Sequence, residues 1–252
     1  MRHVVHAIVL RELKTRFGEY RLGALWLVLE PVAHLMVWVA IVGALGRHAA
    51  PGVEYPVFLV LGLLPWLFVS SCVSRGLPAV ESNLGLFVYR RVKPVDVVVA
   101  RVAIEFVALF FVGTCFWILG WLLGFRVAVS DGLLFAGGLF VVFVFAFALA
   151  LATAVLGVVV PSSKRVVPLV MRPLYFMSAV MYPLSALPLR YRDWIGWNPV
   201  LHLVELLRGA WIGPAYRPVL VSWWYLLAVV LVVLAMSLWF YLVNERRLVT
   251  TV

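Results

Sequence analysis

Residues Gly132 to Val160 read GLLFAGGLFVVFVFAFALALATAVLGVVV, 29 consecutive positions without a charge. A helix needs about 20 apolar residues to cross roughly 30 Å of hydrocarbon, so this stretch fixes the bilayer as the solvent of the fold. It is too long for an upright span, and it tilts or lets its ends leave the hydrocarbon. Two more uncharged runs repeat the signal, Phe106 to Phe125 over 20 residues and Trp223 to Val243 over 21. Strict apolar/polar alternation is absent, which argues against a transmembrane β-barrel. The whole chain agrees: of 252 residues, 65% are apolar and 13% charged, about half the charged share of a soluble domain.

Working outward from these runs, the sequence predicts an all-α membrane protein of six spans. They cover 25–45, 56–73, 97–125, 132–160, 166–183 and 222–243. The fifth is the least regular, since Pro168, Pro173 and Pro183 punctuate it and Arg172 sits inside it; a kinked or broken helix is expected there. Fifteen of the 21 Lys and Arg residues fall on one side if the N-terminus is inside, including all three lysines. The positive-inside rule then puts both termini in the cytoplasm.

Three pieces do not span. Residues 1–24 form an interfacial helix, because Val5, Ile8, Val9, Leu13 and Phe17 recur at helical spacing away from Arg11, Lys14, Arg16 and Arg21, the pattern of a basic helix on an anionic leaflet. The cytoplasmic stretch 81–96 interleaves Leu84, Leu86, Phe87 and Tyr89 with Arg90, Arg91 and Lys93. It reads either as a docking element or as positive-inside ballast. The outer stretch 184–221 holds two short interfacial or re-entrant helices, near 189–197 and 199–211. Asn198-Pro199 supplies an N-cap and a first helical position for the second.

The chain carries no GxxxxGK[ST] loop to cradle nucleotide phosphates, no HExxH and no GxSxG. A membrane enzyme acting on lipid-linked sugars would need converging acids, bases or metal ligands, and only three aspartates are present. That class is disfavoured, and no metal or cofactor site is expected in this chain. Cys72 and Cys115 lie in apolar segments without a CxxC spacing and read as small buried thiols.

Ordered motifs then point to a family. Arg11-Glu-Leu-Lys-Thr-Arg-Phe-Gly18, Tyr20-Arg-Leu-Gly-Ala-Leu-Trp26 and Leu29-Glu30-Pro31 open the series. Gly62-Leu-Leu-Pro-Trp66 and Val92-Lys-Pro-Val-Asp96 follow, with Ala100-Arg101 and Glu105. Arg172-Pro-Leu-Tyr175, Tyr182-Pro-Leu-Ser185, Leu187-Pro188 and Trp197-Asn-Pro-Val-Leu-His202 with Glu205 complete it. The set resembles the capsular polysaccharide export permeases, of the type-2 class of ABC exporters. Exporters of lipopolysaccharide O-chains or teichoic acids share that architecture. The resemblance implies a homodimer of six-helix subunits in the inner membrane. It further implies two copies of a cytoplasmic ATPase subunit, which binds the ATP and Mg, and a periplasmic or outer-membrane export partner. A lipid-linked glycan would pass between the subunits; no nucleic acid is implicated.

Within that frame the intramembrane ionisable and aromatic residues are conduit candidates. Trp26, Glu30, His34 and Trp38 form an i, i+4 strip, and Arg172, Tyr175, Phe176 and Tyr182 belong to the proline-rich fifth span. The alternative for the strip is a snorkelling Glu30 and a helix-packing His34. Arg172 is open to glycan, to phosphate or to pairing with Glu30 or another carboxylate. The resemblance makes Leu84, Phe87, Tyr89, Arg90, Arg91 and Lys93 a coupling element for the ATPase. Arg101 and Glu105, four residues apart, are expected to neutralise each other.

Overall fold

The computed structural model describes residues 8–12, 23–44, 53–89, 92–125, 127–219 and 221–250, with the backbone alone at 23–28, 42–44 and 249–250. Eight helices carry the fold among them: α1 (Gly23–Ala44), α2 (Tyr55–Gly76), α3 (Pro94–Leu122), α4 (Gly132–Val159), α5 (Ser163–Met177), α6 (Leu189–Ile195), α7 (Pro199–Ile212) and α8 (Trp223–Thr250). A helical turn at 8–12 precedes them, and a 3-10 helix, Glu81–Leu86, links α2 to α3. Most of the interfacial helix expected over 1–24 lies outside the described residues, as do Arg90 and Arg91.

Four helices, α2, α3, α4 and α8, are long and apolar enough to cross a membrane. In α1 the part whose side chains are described, Leu29–Ile41, is apolar as well. The expected fifth span is corrected. It starts at Ser163 and ends at Met177, 15 residues, and at 1.5 Å per residue reaches about 22 Å, short of the roughly 30 Å of hydrocarbon. Pro168 and Pro173 lie inside it without ending it; the break comes after Met177, where Ala179 takes φ 51°.

The uncharged stretch Gly132 to Val160 is the axis of the bundle. α4 packs on α8, α2, α7 and α3. Its approach to α2 is made by small residues. A Cβ on Gly157 would overlap the backbone carbonyl of Leu77, and one on Gly76 would meet Thr153 and the Ala150 carbonyl. Without a hydrophobic drive between helices in lipid, such backbone proximity is what holds them by dispersion. α3 and α8 instead turn most of their apolar surface outward, with Phe110, Phe111, Trp121, Leu231 and Trp239 exposed, as lipid-facing helices do.

α7 departs from the interfacial reading. Asn198 caps it as the sequence expects, its side chain accepting from the Val200 N–H at 3.0 Å. Yet the run from Val200 to Arg208 is buried throughout, whereas a helix lying on the surface keeps one face in water. α2 and α4 cover it, and the segment before α4 clamps its end, the Ser130 and Asp131 N–H groups donating to the Trp211 and Ala210 carbonyls at 2.9 Å.

Candidate functional site

Three polar constellations interrupt this apolar bundle. The first joins α1, α2 and α5. The Trp38 indole N–H donates to His34 Nε2 at 3.1 Å, which makes that nitrogen the unprotonated one. Tyr175 Oη lies 2.5 Å from the same nitrogen. The Trp66 ring packs on Tyr175 at 5.6 Å and the Phe176 ring at 5.4 Å. Three of the sequence-derived conduit residues, His34, Trp38 and Tyr175, thus meet in one hydrogen-bonded unit, and Phe176 extends it with an exposed ring. Tyr182 donates to the Phe176 carbonyl at 2.6 Å and steadies the break in the chain. Glu30 is exposed one turn before His34. Arg172 is exposed too, with no partner among the described residues, so of its open alternatives the pairing with Glu30 is not formed. The side chain of Trp26 lies outside the described residues.

Arg208, the centre of the second constellation, was not singled out from the sequence. Arg208 is fully buried on α7 and paired with Glu205 at 3.1 Å. Its Nη1 donates to the Ala179 carbonyl at 2.8 Å, Nη2 to the Val180 carbonyl at 2.5 Å and Nε to the Phe58 carbonyl at 3.2 Å. The guanidinium also lies over the Phe58 ring at 3.6 Å, a desolvated cation–π contact. Tyr216 donates to Glu205 at 2.7 Å, and burial beside that carboxylate raises the phenol above its ordinary pKa. Two of the carbonyls that Arg208 collects, those of Ala179 and Val180, are freed where α5 breaks. Gly62 of α2 leaves the space, since a Cβ there would overlap the guanidinium. The signal existed: Glu205 and Arg208 are three apart in an otherwise apolar helix, where unpaired charges are costly. His202, on the same helix, has its pKa lowered by burial; neutral, it donates from Nε2 to the Gly196 carbonyl at 2.7 Å and accepts the Ser222 N–H at Nδ1.

The third lies at the far end of α2. Arg101 reaches Glu12 at 2.9 Å, the Arg75 carbonyl at 2.8 Å and Ser82 Oγ at 2.8 Å. Glu105 takes Arg75 at 2.7 Å. The neutralisation expected within α3 is therefore reached across elements, which ties the 8–12 turn, the 3-10 helix and α3 together. Lys164 at the start of α5 pairs with Glu81 of the 3-10 helix. The proposed coupling residues divide. Phe87 is 6% exposed and packs into the core with the part-buried Leu84, so Phe87 is a support rather than a surface anchor. Lys93 is spoken for by Glu245 of α8 at 3.1 Å. Tyr89, with its neighbour Val88, is left exposed, at 67% and 75%.

Among the described residues no cluster of His, Cys, Asp or Glu could hold a metal ion. The model of the ABC-2 type transporter family matches residues 3–212. The chain belongs to that family. The polysialic acid transport protein KpsM of Escherichia coli is 36% identical over 247 residues, 98% of this chain and 95% of that protein. The capsule polysaccharide export inner-membrane protein CtrC of Neisseria meningitidis is 23% identical over 255 residues, covering 94% of this chain and 89% of its own. The O-antigen export system permease RfbA of Myxococcus xanthus is 35% identical over 104 residues, 40% of this chain and 39% of its own. This ABC-2 transporter is thus a multi-pass membrane protein of the transport-permease class.

Proposed function

We propose that this chain is the inner-membrane permease of an exporter of capsular polysaccharide, driven by a separate ATPase subunit. The similarity to KpsM along nearly the whole of both chains carries the reading. A membrane enzyme acting on lipid-linked sugars is not favoured, since the acidic groups of the second and third constellations are held by cations. The chain acts as a homodimer in this reading. The exposed stripe Val166, Leu169 and Val170 on α5 supplies an apolar face for a second copy. α1 and α5 complete the six crossings, α5 with its broken end, and α6 and α7 return from the outer side as re-entrant helices.

Force enters at the exposed Val88 and Tyr89, where the ATPase docks, and passes through Glu81–Lys164 into α5. α5 carries Tyr175, so its movement makes or breaks the contact with His34 and Trp38 on α1. An acidic polymer sliding between subunits needs stacking faces and hydrogen-bonding edges rather than one tight site, and the His34–Trp38–Tyr175 unit with exposed Phe176 and Arg172 offers both.

The test is surface polysaccharide per cell, normalised to assembled complex. His34→Ala, Trp38→Ala and Tyr175→Phe are expected to assemble and to lower export while the partner still hydrolyses ATP. Arg172→Ala should be more severe, and Arg172→Lys should recover only part, because a guanidinium grips carboxylate or phosphate as a fork. Normal export in all these variants would assign the cluster to helix packing and send the glycan elsewhere.

Orientation has its own check. A Cβ at Gly132 or Gly85 meets nothing within 4 Å, so cysteine fits at both. With Cys72 and Cys115 replaced, Gly132→Cys should react with an impermeant thiol reagent in intact cells. Gly85→Cys should stay silent until the membrane is opened. The reverse pattern would invert the topology.

A further inference from the structure

His202 is buried on α7, and its ring joins the end of one helix to the start of another. Nε2 donates to the carbonyl of Gly196, the residue that closes α6, at 2.7 Å. Nδ1 accepts the N–H of Ser222 at 3.3 Å. Ser222 directly precedes α8 and ties its first turn, the carbonyl taking the Leu226 N–H at 3.1 Å and the hydroxyl the Tyr225 N–H at 3.3 Å. Tyr225 closes the same seam, with its ring 4.7 Å from the imidazole and its Oη donating to the Trp197 carbonyl at 2.7 Å.

An imidazole has two neutral tautomers and a cation, and one form alone serves both partners. A carbonyl requires a proton on Nε2, and a backbone N–H requires a bare Nδ1. The imidazolium would set an Nδ1 proton against the Ser222 N–H, donor against donor. Burial also disfavours the charge and lowers the His202 pKa. Glu205, one turn on along α7, favours the imidazolium, but it is paired with Arg208 and takes the Tyr216 hydroxyl. Arg192 of α6 is turned to the Leu187 and Ser185 carbonyls, while Arg190 and Asp193 of α6 and Arg217 before α8 are exposed. α8 brings only Tyr225 to this end. α4 has no titratable side chain from Gly132 to Val159, and Tyr55 at the head of α2 is engaged with the Met181 carbonyl.

We infer that His202 is a pH-operated latch, which holds the α6–α7 corner against the start of α8 while neutral and lets the two part when protonated. Once the seam opens, the ring returns to water and to an ordinary pKa of about 6.5. The open form therefore binds the extra proton, and opening becomes easier as the pH falls below that value. In the proposed orientation the seam lies on the outer side, so the latch reads the pH of the outer compartment; that point alone rests on the topology proposed above.

The test is amide hydrogen exchange of the full chain in a mild detergent, one pH unit above and one below about 6.5, corrected for the intrinsic pH dependence of exchange. Protection of the Ser222 N–H should fall by about tenfold at the lower pH, the ratio set by protonation of the open form. Amides in the middle of α4 should keep their protection. In His202→Gln, whose carboxamide does not titrate in this range, Ser222 protection should be equal at the two pH values, whatever its level. Nitrogen-labelled histidine spectra of the wild type and His202→Gln identify the His202 signals by difference. They should show the Nε2–H tautomer at the higher pH and titrate below about 6.5. Unchanged Ser222 protection in the wild type would overturn the latch, as would a fall that persists in His202→Gln or extends through α4. So would a His202 that titrates at or above its ordinary value. Neither readout involves the ATPase or the glycan, so the latch stands or fails apart from the exported substrate.

Discussion

Replacing Arg208 by methionine is expected to cost about 3–5 kcal/mol of stability and to remove most of the assembled protein from the membrane. Methionine fills the volume but leaves Glu205 charged, buried and facing only Tyr216. It also strips the Ala179, Val180 and Phe58 carbonyls of their donor. Arg208→Lys should be nearly as damaging, since one ammonium cannot reach carbonyls spread over three sites as a planar fork does. The cause separates in a double variant. Glu205→Gln added to Arg208→Met removes the stranded charge, and should recover part of the loss as a coupling term. Thermal aggregation of the detergent-purified chain, followed by fluorescence size-exclusion, gives the readout. Arg208→Met as stable as the wild type would show that the α5 break needs no tie to α7.

The second large effect is expected at Gly157. Gly157→Leu drives a side chain into the Leu77 carbonyl. Backbone yields less readily than a side chain, so the cost sits at the upper end for overpacking, about 3 kcal/mol. The 3-10 helix begins four residues after Leu77, so the displacement is passed to the surface where the ATPase would dock. Some complex should still assemble at low temperature, with ATP hydrolysis lost from export. Gly132→Leu, which meets nothing within 4 Å, is the matching control and should be silent in both assays. Equal melting temperatures for the two variants would remove the α2–α4 crossing from the account.

Much of this was readable in the chain because the strongest signals were long and local. The uncharged runs located α3, α4 and α8, with α4 matched almost to the residue, and Asn198-Pro199 marked the start of α7. The fifth span was misjudged because hydropathy does not register a backbone break. Apolar residues continue past Met177 to Pro183, but the helix stops where Ala179 turns to positive φ, and a guanidinium from α7 takes over the freed carbonyls. Phe87 looked like a docking residue because an aromatic among cations resembles one. Only the packing shows that it faces inward while Tyr89 does not. The meeting of His34 with Tyr175, 141 residues apart, lies beyond any local pattern, although both had been chosen one at a time as intramembrane polar groups.

During synthesis the residues of α5 emerge about thirty positions before the guanidinium that secures their end. With Lys164, Arg165 and Arg172 among only 15 residues, that segment is a poor passenger for the insertion machinery. Its early partition between water and lipid is therefore provisional. In the proposed six-crossing topology the segment is expected to settle only when α7 arrives and Arg208 closes over Ala179 and Val180, so a ribosome stalled between the two should leave a nascent protein one crossing short.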